Sequence, residues 1–229
     1  MNRRHFLHNL RALGVGAMLP ASVRHNPRVG VVAVGGAGGK VLSYLAERLP
    51  NLGRTIAINT HAGALHRGNA DRKILVGDIQ DEPISTNAAR RLVVRRSARS
   101  AIPGITEAVA GLDMVLLVAG MGGVAGTEIS PIVAQVLREQ NIFTVGFPIL
   151  PFDFEGQRRC DIARLGAAEL GRHVHSLYPI FNETFAQAAG DSATMDDVFN
   201  QISISILQHY QRVTGAVAAS RLAGTNLFV

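Results

Sequence analysis

The sequence predicts an α/β protein, doubly wound, with a mainly parallel six-stranded sheet that ends in a long core helix. Three observations carry that expectation. Continuous apolar runs such as Val29–Val34 and residues 114–119 have the pattern of strands buried on both faces. Between the runs lie stretches with apolar residues at three- to four-residue spacing, the period of an amphipathic helix. Two of the runs empty into glycine-rich segments, residues 35–39 and 120–126, each ahead of a helical stretch. Glycine lets backbone approach an anion, and the free N–H groups of a helix start point at it.

The elements follow in order. After the strand Val29–Val34, residues 40–49 read as a helix with Val41, Leu42 and Leu45 inward. Residues 55–59 form a second strand and 74–76 a shorter third. Residues 86–98 are helical and open a run of five Arg between Arg90 and Arg99, and 103–110 form another short helix. Residues 114–119 are the fourth strand. The following helix is read over 129–139, with Pro131 in its first turn, where proline is tolerated. Strands at 142–147 and 174–180 bracket a helix at 156–170. A short helix at 183–189 precedes the core helix at 195–217, where Val198, Ile202, Ile206, Tyr210 and Val213 share one face. In domain terms, residues 1–27 are a basic extension, 28–219 the nucleotide-binding body with its core helix at about 194–217, and 220–229 a short tail. Ligands of doubly wound sheets bind beyond the carboxyl ends of the strands. Both glycine segments, Asn59 and residues 151–156 lie there, so a nucleotide held from two sides is expected.

Composition narrows the classes. The chain has 229 residues and 47% hydrophobic content, enough for a sizeable core. It has no Trp and few aromatics, which argues against a stacking platform for single-stranded nucleic acid, and no nucleic-acid-binding motif is present. The single Cys160 excludes an intramolecular disulfide framework, and no paired metal-ligand spacing occurs. The net charge is +6. Spacing aligns Arg91, Arg95 and Arg99 on one helical face with Arg96 beside them, either a solvated face or a patch for an acidic partner. Asn2-Arg3-Arg4-His5-Phe6-Leu7 ahead of residues 12–21 resembles a twin-arginine export signal. The apolar part is short, broken by Gly14 and Gly16, and lacks a small-x-small cleavage site. A cytoplasmic chain without an integral membrane segment is the expectation, export the alternative.

Two common nucleotide motifs are excluded position by position. The first glycine segment fails G-x-G-x-x-G in every register, and no acidic residue ends the second strand. The P-loop pattern fails because Val41 follows Lys40 where Ser or Thr is required.

Four segments in order match something else. Residues 29–40, Ile56-Ala57-Ile58-Asn59-Thr60, residues 113–127, and Pro151-Phe152-Asp153-Phe154-Glu155-Gly156-Gln157-Arg158-Arg159 resemble the FtsZ/tubulin superfamily. The likeness extends over about residues 28–215. It implies GTP or GDP as ligand, with or without Mg2+, and no catalytic residue is assigned. By resemblance, Gly35, Gly36, Ala37, Gly38 and Gly39 wrap the diphosphate, and Lys40, an Asn in the family, adds a point charge. Gly122, Gly123, Gly126 and Thr127 match the phosphate loop. Glu155 and Arg159 match the ribose and base side. Asn182 matches a guanine-reaching Asn, and Phe199 an aromatic near the base. Asn59 lies at the strand end on the same side. Ser203 and Ile204 stand where the family reads guanine. Each has a plainer reading: glycines for packing, Glu155–Arg159 as a helical ion pair, Phe199 as core.

The departures point to weak activity. Val124 and Ala125 interrupt the phosphate loop, and Glu128 is expected to oppose a phosphate at the helix N-terminus. By the resemblance, the terminal-phosphate loop is replaced by the shorter segment 78–83, which has three acidic residues. The family's second domain and its acidic loop are expected to be missing, since no carboxylate follows Asp197. The resemblance therefore implies a guanine-nucleotide-binding protein with little or no hydrolysis alone, self-assembling or joined to an intact FtsZ-like partner. The alternative is a docking protein that has kept the fold and lost the nucleotide.

Overall fold

Successive residues of strand β1 (Val29–Val34) point to opposite faces and so divide the core in two. Val31 and Ala33 join one apolar cluster, Val32 and Val34 the other. The computed structural model describes residues 27–77, 87–190 and 192–222. The export-like motif, the acidic segment 78–83 and the end of the tail lie outside the described residues.

The chain continues through α1 (Gly35–Arg48), β2 (Arg54–Asn59), α2 (Ala62–Arg67) and β3 (Arg72–Leu75). Then come α3 (Asn87–Ser100), α4 (Ile102–Val109), β4 (Met114–Gly120), α5 (Val124–Glu139) and β5 (Phe143–Leu150). A 3-10 turn (Asp153–Glu155) leads into α6 (Gln157–Gly171). Two short strands, β6 (Ser176–Leu177) and β7 (Ile180–Phe181), precede α7 (Asn182–Ala189) and the core helix α8 (Met195–Leu222). The sheet runs β3-β2-β1-β4-β5-β6 with β7 also on β5, and each of these pairings is parallel. The predicted α/β, doubly wound parallel sheet is what forms.

Helices α3, α4, α5 and α6 cover one face, through Val94, Ile105, Val133 and Leu170 among others. Helices α1, α2 and α8 cover the other, where Leu45, Leu65, Ile202 and Ile206 are buried. A capping box opens α8: the Asp197 carboxylate accepts from the Thr194 N–H at 2.9 Å and the Thr194 hydroxyl from the Asp197 N–H at 3.2 Å. Farther along, the Tyr210 hydroxyl donates to the Leu52 carbonyl at 2.9 Å, tying α8 to the turn before β2.

Several boundaries differ from expectation, each for a physical reason. Helix α1 starts at Gly35, five residues before the expected start, because the chain passes from β1 straight into a helix. Glycine is a poor helix former, but packing overrides propensity here: a Cβ on Gly38 would fall 2.6 Å from the Val118 carbonyl oxygen. Helix α5 likewise starts at Val124, so Pro131 lies inside it and not in its first turn. The single strand expected at 174–180 is two pieces, because Pro179 has no N–H to give to a ladder. Helix α2 was not expected; its cap is a histidine, with His61 Nδ1 accepting from the Ala64 N–H at 3.4 Å.

Beside β5, the Thr144 N–H donates to His175 Nδ1 at 3.0 Å, and the ring lies 4.9 Å from that of Phe143. Burial, and secondarily the Arg138 charge, lower the His175 pKa below the usual histidine value. The folded state thus prefers the neutral ring, whose Nδ1 is the acceptor. Stability is full above the unfolded value of about 6.5 and falls as pH drops below it toward the folded value. Thermal melting should reveal this as a lower midpoint between pH 7 and 5. His175→Asn, which keeps an acceptor and cannot be charged, should flatten that part of the profile.

Candidate functional site

The strand order reverses direction at β1. The chain runs outward from β1 to β2 and β3, then returns to β4 on its other side. The crevice beyond the carboxyl ends of β1 and β4 is where such sheets bind ligands. Helix α1 begins at the end of β1, and α5 begins three residues past β4. The two glycine segments meet there: a Cβ on Gly120 would fall 2.7 Å from the Ala37 Cβ, and Gly35, at φ +75°, would meet the Gly126 backbone nitrogen at 3.3 Å.

The crevice is a cleft of about 740 Å³, within the range of small-molecule sites. Of the residues singled out in the sequence, Gly35, Gly36, Ala37, Gly123 and Gly126 form its floor at the two helix starts. Glu155 and Arg159 line one wall, and Asn182 and Phe199 close the far end. A second cavity of about 680 Å³ shares Gly35, Gly36 and Phe199 with the first, and Gly39, Lys40, Asn59 and Ser203 lie in that neighbour. Gly38, Gly122 and Thr127 line neither cavity.

The glycines divide by what surrounds them. A Cβ on Gly126 would collide with the Gly120 carbonyl, and one on Gly38 with that of Val118. Gly122, at φ +85°, lies against the Arg159 side chain. These three serve close backbone packing. Gly36 and Gly123 have nothing within 4 Å of a Cβ position and open into the cleft.

Thr127 is committed elsewhere than expected. Its hydroxyl accepts from the Gly122 N–H at 2.9 Å and the residue is buried, so it closes the loop on itself. Lys40 is turned away from the floor of the cleft: its ammonium lies 3.3 Å from an Asp196 carboxylate oxygen and 4.9 Å from the centre of the Phe199 ring. Ser203 donates to the Phe199 carbonyl at 2.8 Å, and Asn59 Oδ1 accepts from the Thr60 N–H at 2.8 Å.

Glu155 and Arg159 do form the ion pair, at 3.1 Å, and Glu155 also accepts from the Phe152 N–H at 2.9 Å. The expectation for Glu128 is overturned. Its carboxylate points away from the cleft, is 7% exposed, and binds Arg91 and Arg95 at 2.8 Å each. Arg95 also reaches Glu169 at 3.1 Å. Burial by itself would lower the Arg95 pKa, but Glu128 and Glu169 outweigh it and the value is raised. The Arg helix is therefore neither a bare solvated face nor an open patch: two of its charges are turned inward.

Asn182, the first residue of α7, is 4% exposed, and its Oδ1 has no hydrogen-bond partner. A buried amide oxygen left unpaired costs stability, and this one borders the cleft. Arg90, from α3, also lines the cleft, as do Thr60, His61, Val124 and Ala125. None of these five was singled out as a binding residue. For Arg90 the signal was there: one residue from Arg91 is about 100° of rotation, off the inward face.

A parallel doubly wound sheet with two glycine-rich helix starts at its switch point defines a nucleotide-type α/β domain. The chain belongs to the tubulin/FtsZ family: residues 28–190 match its GTPase domain. Cell division protein FtsZ of Coxiella burnetii is 34% identical over 193 residues, 84% of this chain and 50% of that protein. The FtsZ of Caulobacter vibrioides is 33% identical over 187 residues, 82% of this chain and 37% of that one. The chain thus spans about half or less of these relatives. Among solved structures, an empty FtsZ dimer from M. jannaschii superposes with a TM-score of 0.71 at 26% identity, covering 95% of this chain and 59% of that one. CetZ2 from Haloferax volcanii gives 0.67 at 22% identity, covering 85% and 59%, a likeness of fold alone. Among the described residues, no helix is long and apolar enough to cross a membrane.

Proposed function

We propose that the cleft binds a guanine nucleotide, GTP or GDP, with its phosphates at the starts of α1 and α5 and its base near Asn182 and Phe199. The observation that carries this reading is the unpaired Asn182 Oδ1, 4% exposed at the end of the cleft. Such an oxygen calls for a donor, and a guanine edge supplies N–H groups. Gly36 and Gly123 leave open space where phosphate oxygens must approach backbone. Arg90 and Arg159 against Glu155 leave the lining one positive charge in excess, which suits an anion. The family supplies the choice of guanine. Mg2+ would enter with the phosphates, since the described residues hold no cluster of three His, Cys, Asp or Glu.

The cleft is poorly equipped for hydrolysis. Its lining carboxylate, Glu155, is engaged by Phe152 and Arg159 and is not free to act as a base. Weak or no turnover by the chain alone follows, and assembly, or co-assembly with an intact FtsZ-like partner in the cytoplasm, is the cellular role that fits. A second reading, docking without nucleotide, is favoured by Val124 and Ala125 on the cleft floor and by Lys40 over the Phe199 ring.

The purified chain should release GDP or GTP when denatured, identified by chromatography, and titration should saturate with GTP and GDP but not with ATP. Absence of both bound nucleotide and saturable binding would replace this reading with the second. Rapid turnover by the chain alone would refute the claim of weak hydrolysis.

A further inference from the structure

We propose that Arg90 takes the terminal phosphate of the bound nucleotide and makes the cleft prefer a triphosphate to a diphosphate. The inference rests on the nucleotide reading above and assigns one residue to it.

Three arginines sit at the start of α3's charged run, and the structure separates their duties. Arg91 and Arg95 are matched by Glu128 and Glu169. Arg91 also donates to the Gly122 carbonyl at 3.4 Å, which ties α3 to the loop that feeds α5. Arg90 is half-buried at the cleft and has no ion pair or hydrogen bond among the described residues. Arg159, the other cation of the lining, is already paired with Glu155. Arg90 is thus the unmatched charge of the cleft, beside the open floor at Gly123.

Its position along the cleft indicates which phosphate it meets. Helix α3 packs on α5 on one face of the sheet, whereas α8 packs on α1 and α7 on the other. Asn182 and Phe199 belong to α7 and α8, so the base end lies on the far side from Arg90. A nucleotide with its base there runs its phosphates past the starts of α1 and α5, and its last phosphate ends nearest α3. A guanidinium fits a phosphate in a bidentate way, and its gain depends on a charge that a diphosphate does not extend to reach. The independent sign that a ligand belongs in this cleft is the buried, unpartnered Asn182 Oδ1.

The test is calorimetric titration of the full chain and its Arg90→Gln and Arg90→Lys variants with GTP and GDP. Arg90→Gln should weaken GTP binding about tenfold or more, the scale of one lost charge-assisted contact. GDP binding should change less than about twofold, and Arg90→Lys should fall between wild type and Gln. Because Arg90 holds no partner among the described residues, the melting temperature should not move. Equal losses for GTP and GDP, or no loss for either, overturn the proposal while leaving the nucleotide reading intact. If the unaltered chain binds neither, the nucleotide reading fails and this assignment fails with it. Should Arg90→Gln not fold, the ratio of GTP to GDP affinity in Arg90→Lys decides, and an unchanged ratio refutes the role.

Discussion

Glu128→Ala is expected to cost the fold about 3 kcal/mol, the largest single effect of removing one charge from this chain. Glu128 is 7% exposed and holds two guanidinium groups at 2.8 Å. Removing it leaves two partly buried cations facing each other at the seam between α3 and α5. A fully buried pair costs about 3–5 kcal/mol to break. The lower end applies because Arg91 and Arg95 keep 19% and 35% exposure and each retains a second acceptor, Gly122 or Glu169. Urea denaturation should show a lower midpoint with unchanged slope. Arg99→Ala, at the exposed end of the same helix, should stay within about 0.5 kcal/mol of wild type. The triple change of Glu128, Arg91 and Arg95 to Met should recover most of the loss, since an ion cluster replaced by apolar groups of similar volume is close to neutral. A loss below about 1 kcal/mol for Glu128→Ala would mean that solvent already screens the cluster.

The second large effect comes from an added methyl group. Gly126→Ala should destabilise by about 3 kcal/mol or prevent folding, because the new Cβ collides with the Gly120 carbonyl. That obstacle is backbone at the end of β4 and cannot rotate aside as a side chain could. The start of α5 would have to lift off the sheet, opening the cluster around Ile129 and Val133. Gly36→Ala provides the contrast. Nothing lies within 4 Å of its Cβ position, and alanine is the better helix former. It should be neutral or raise stability by about 0.5 kcal/mol. If phosphate oxygens approach Gly36, the same variant should lose nucleotide affinity without losing stability. Paired melting and titration of the two variants separate glycines kept for folding from glycines kept for a ligand.

The alternation of strands and helices was legible because each apolar run carries its own period. The strands β1, β2 and β4 lie within one residue of their expected bounds for that reason, and β5 runs three residues past its expected end. Helix starts were less legible where they begin in glycine. Residues 35–39 carry a single methyl group, that of Ala37, too little to show a period, and packing against β4 accompanies their helical form. The break in the last strand could have been read from Pro179. In the site, residue types pointed to the crevice but not to the direction of each side chain. Thr127 and Glu128 are both one turn into α5, and sequence alone could not tell that one would bond the loop and the other the Arg helix. Lys40, on α1, and Ser203, on α8, line the neighbouring cavity instead, a placement set by how these two helices pack on each other and not by residue type. Arg90 was hidden among four similar neighbours until α5 supplied partners for two of them.

The split of the last strand has a mechanical consequence. β4 is hydrogen-bonded along its whole length to β1 and β5, so the wall carrying the glycine floor opens only with the sheet. The wall carrying Asn182 joins the sheet through β7, which among the described residues matches β5 at Ile149–Ile180 and Leu150–Phe181, and is otherwise held by the packing of α7 on α8. Local opening follows the weakest ladder. The cleft therefore has one stiff jaw and one compliant jaw, and whatever it grips would be let go from the Asn182 side first.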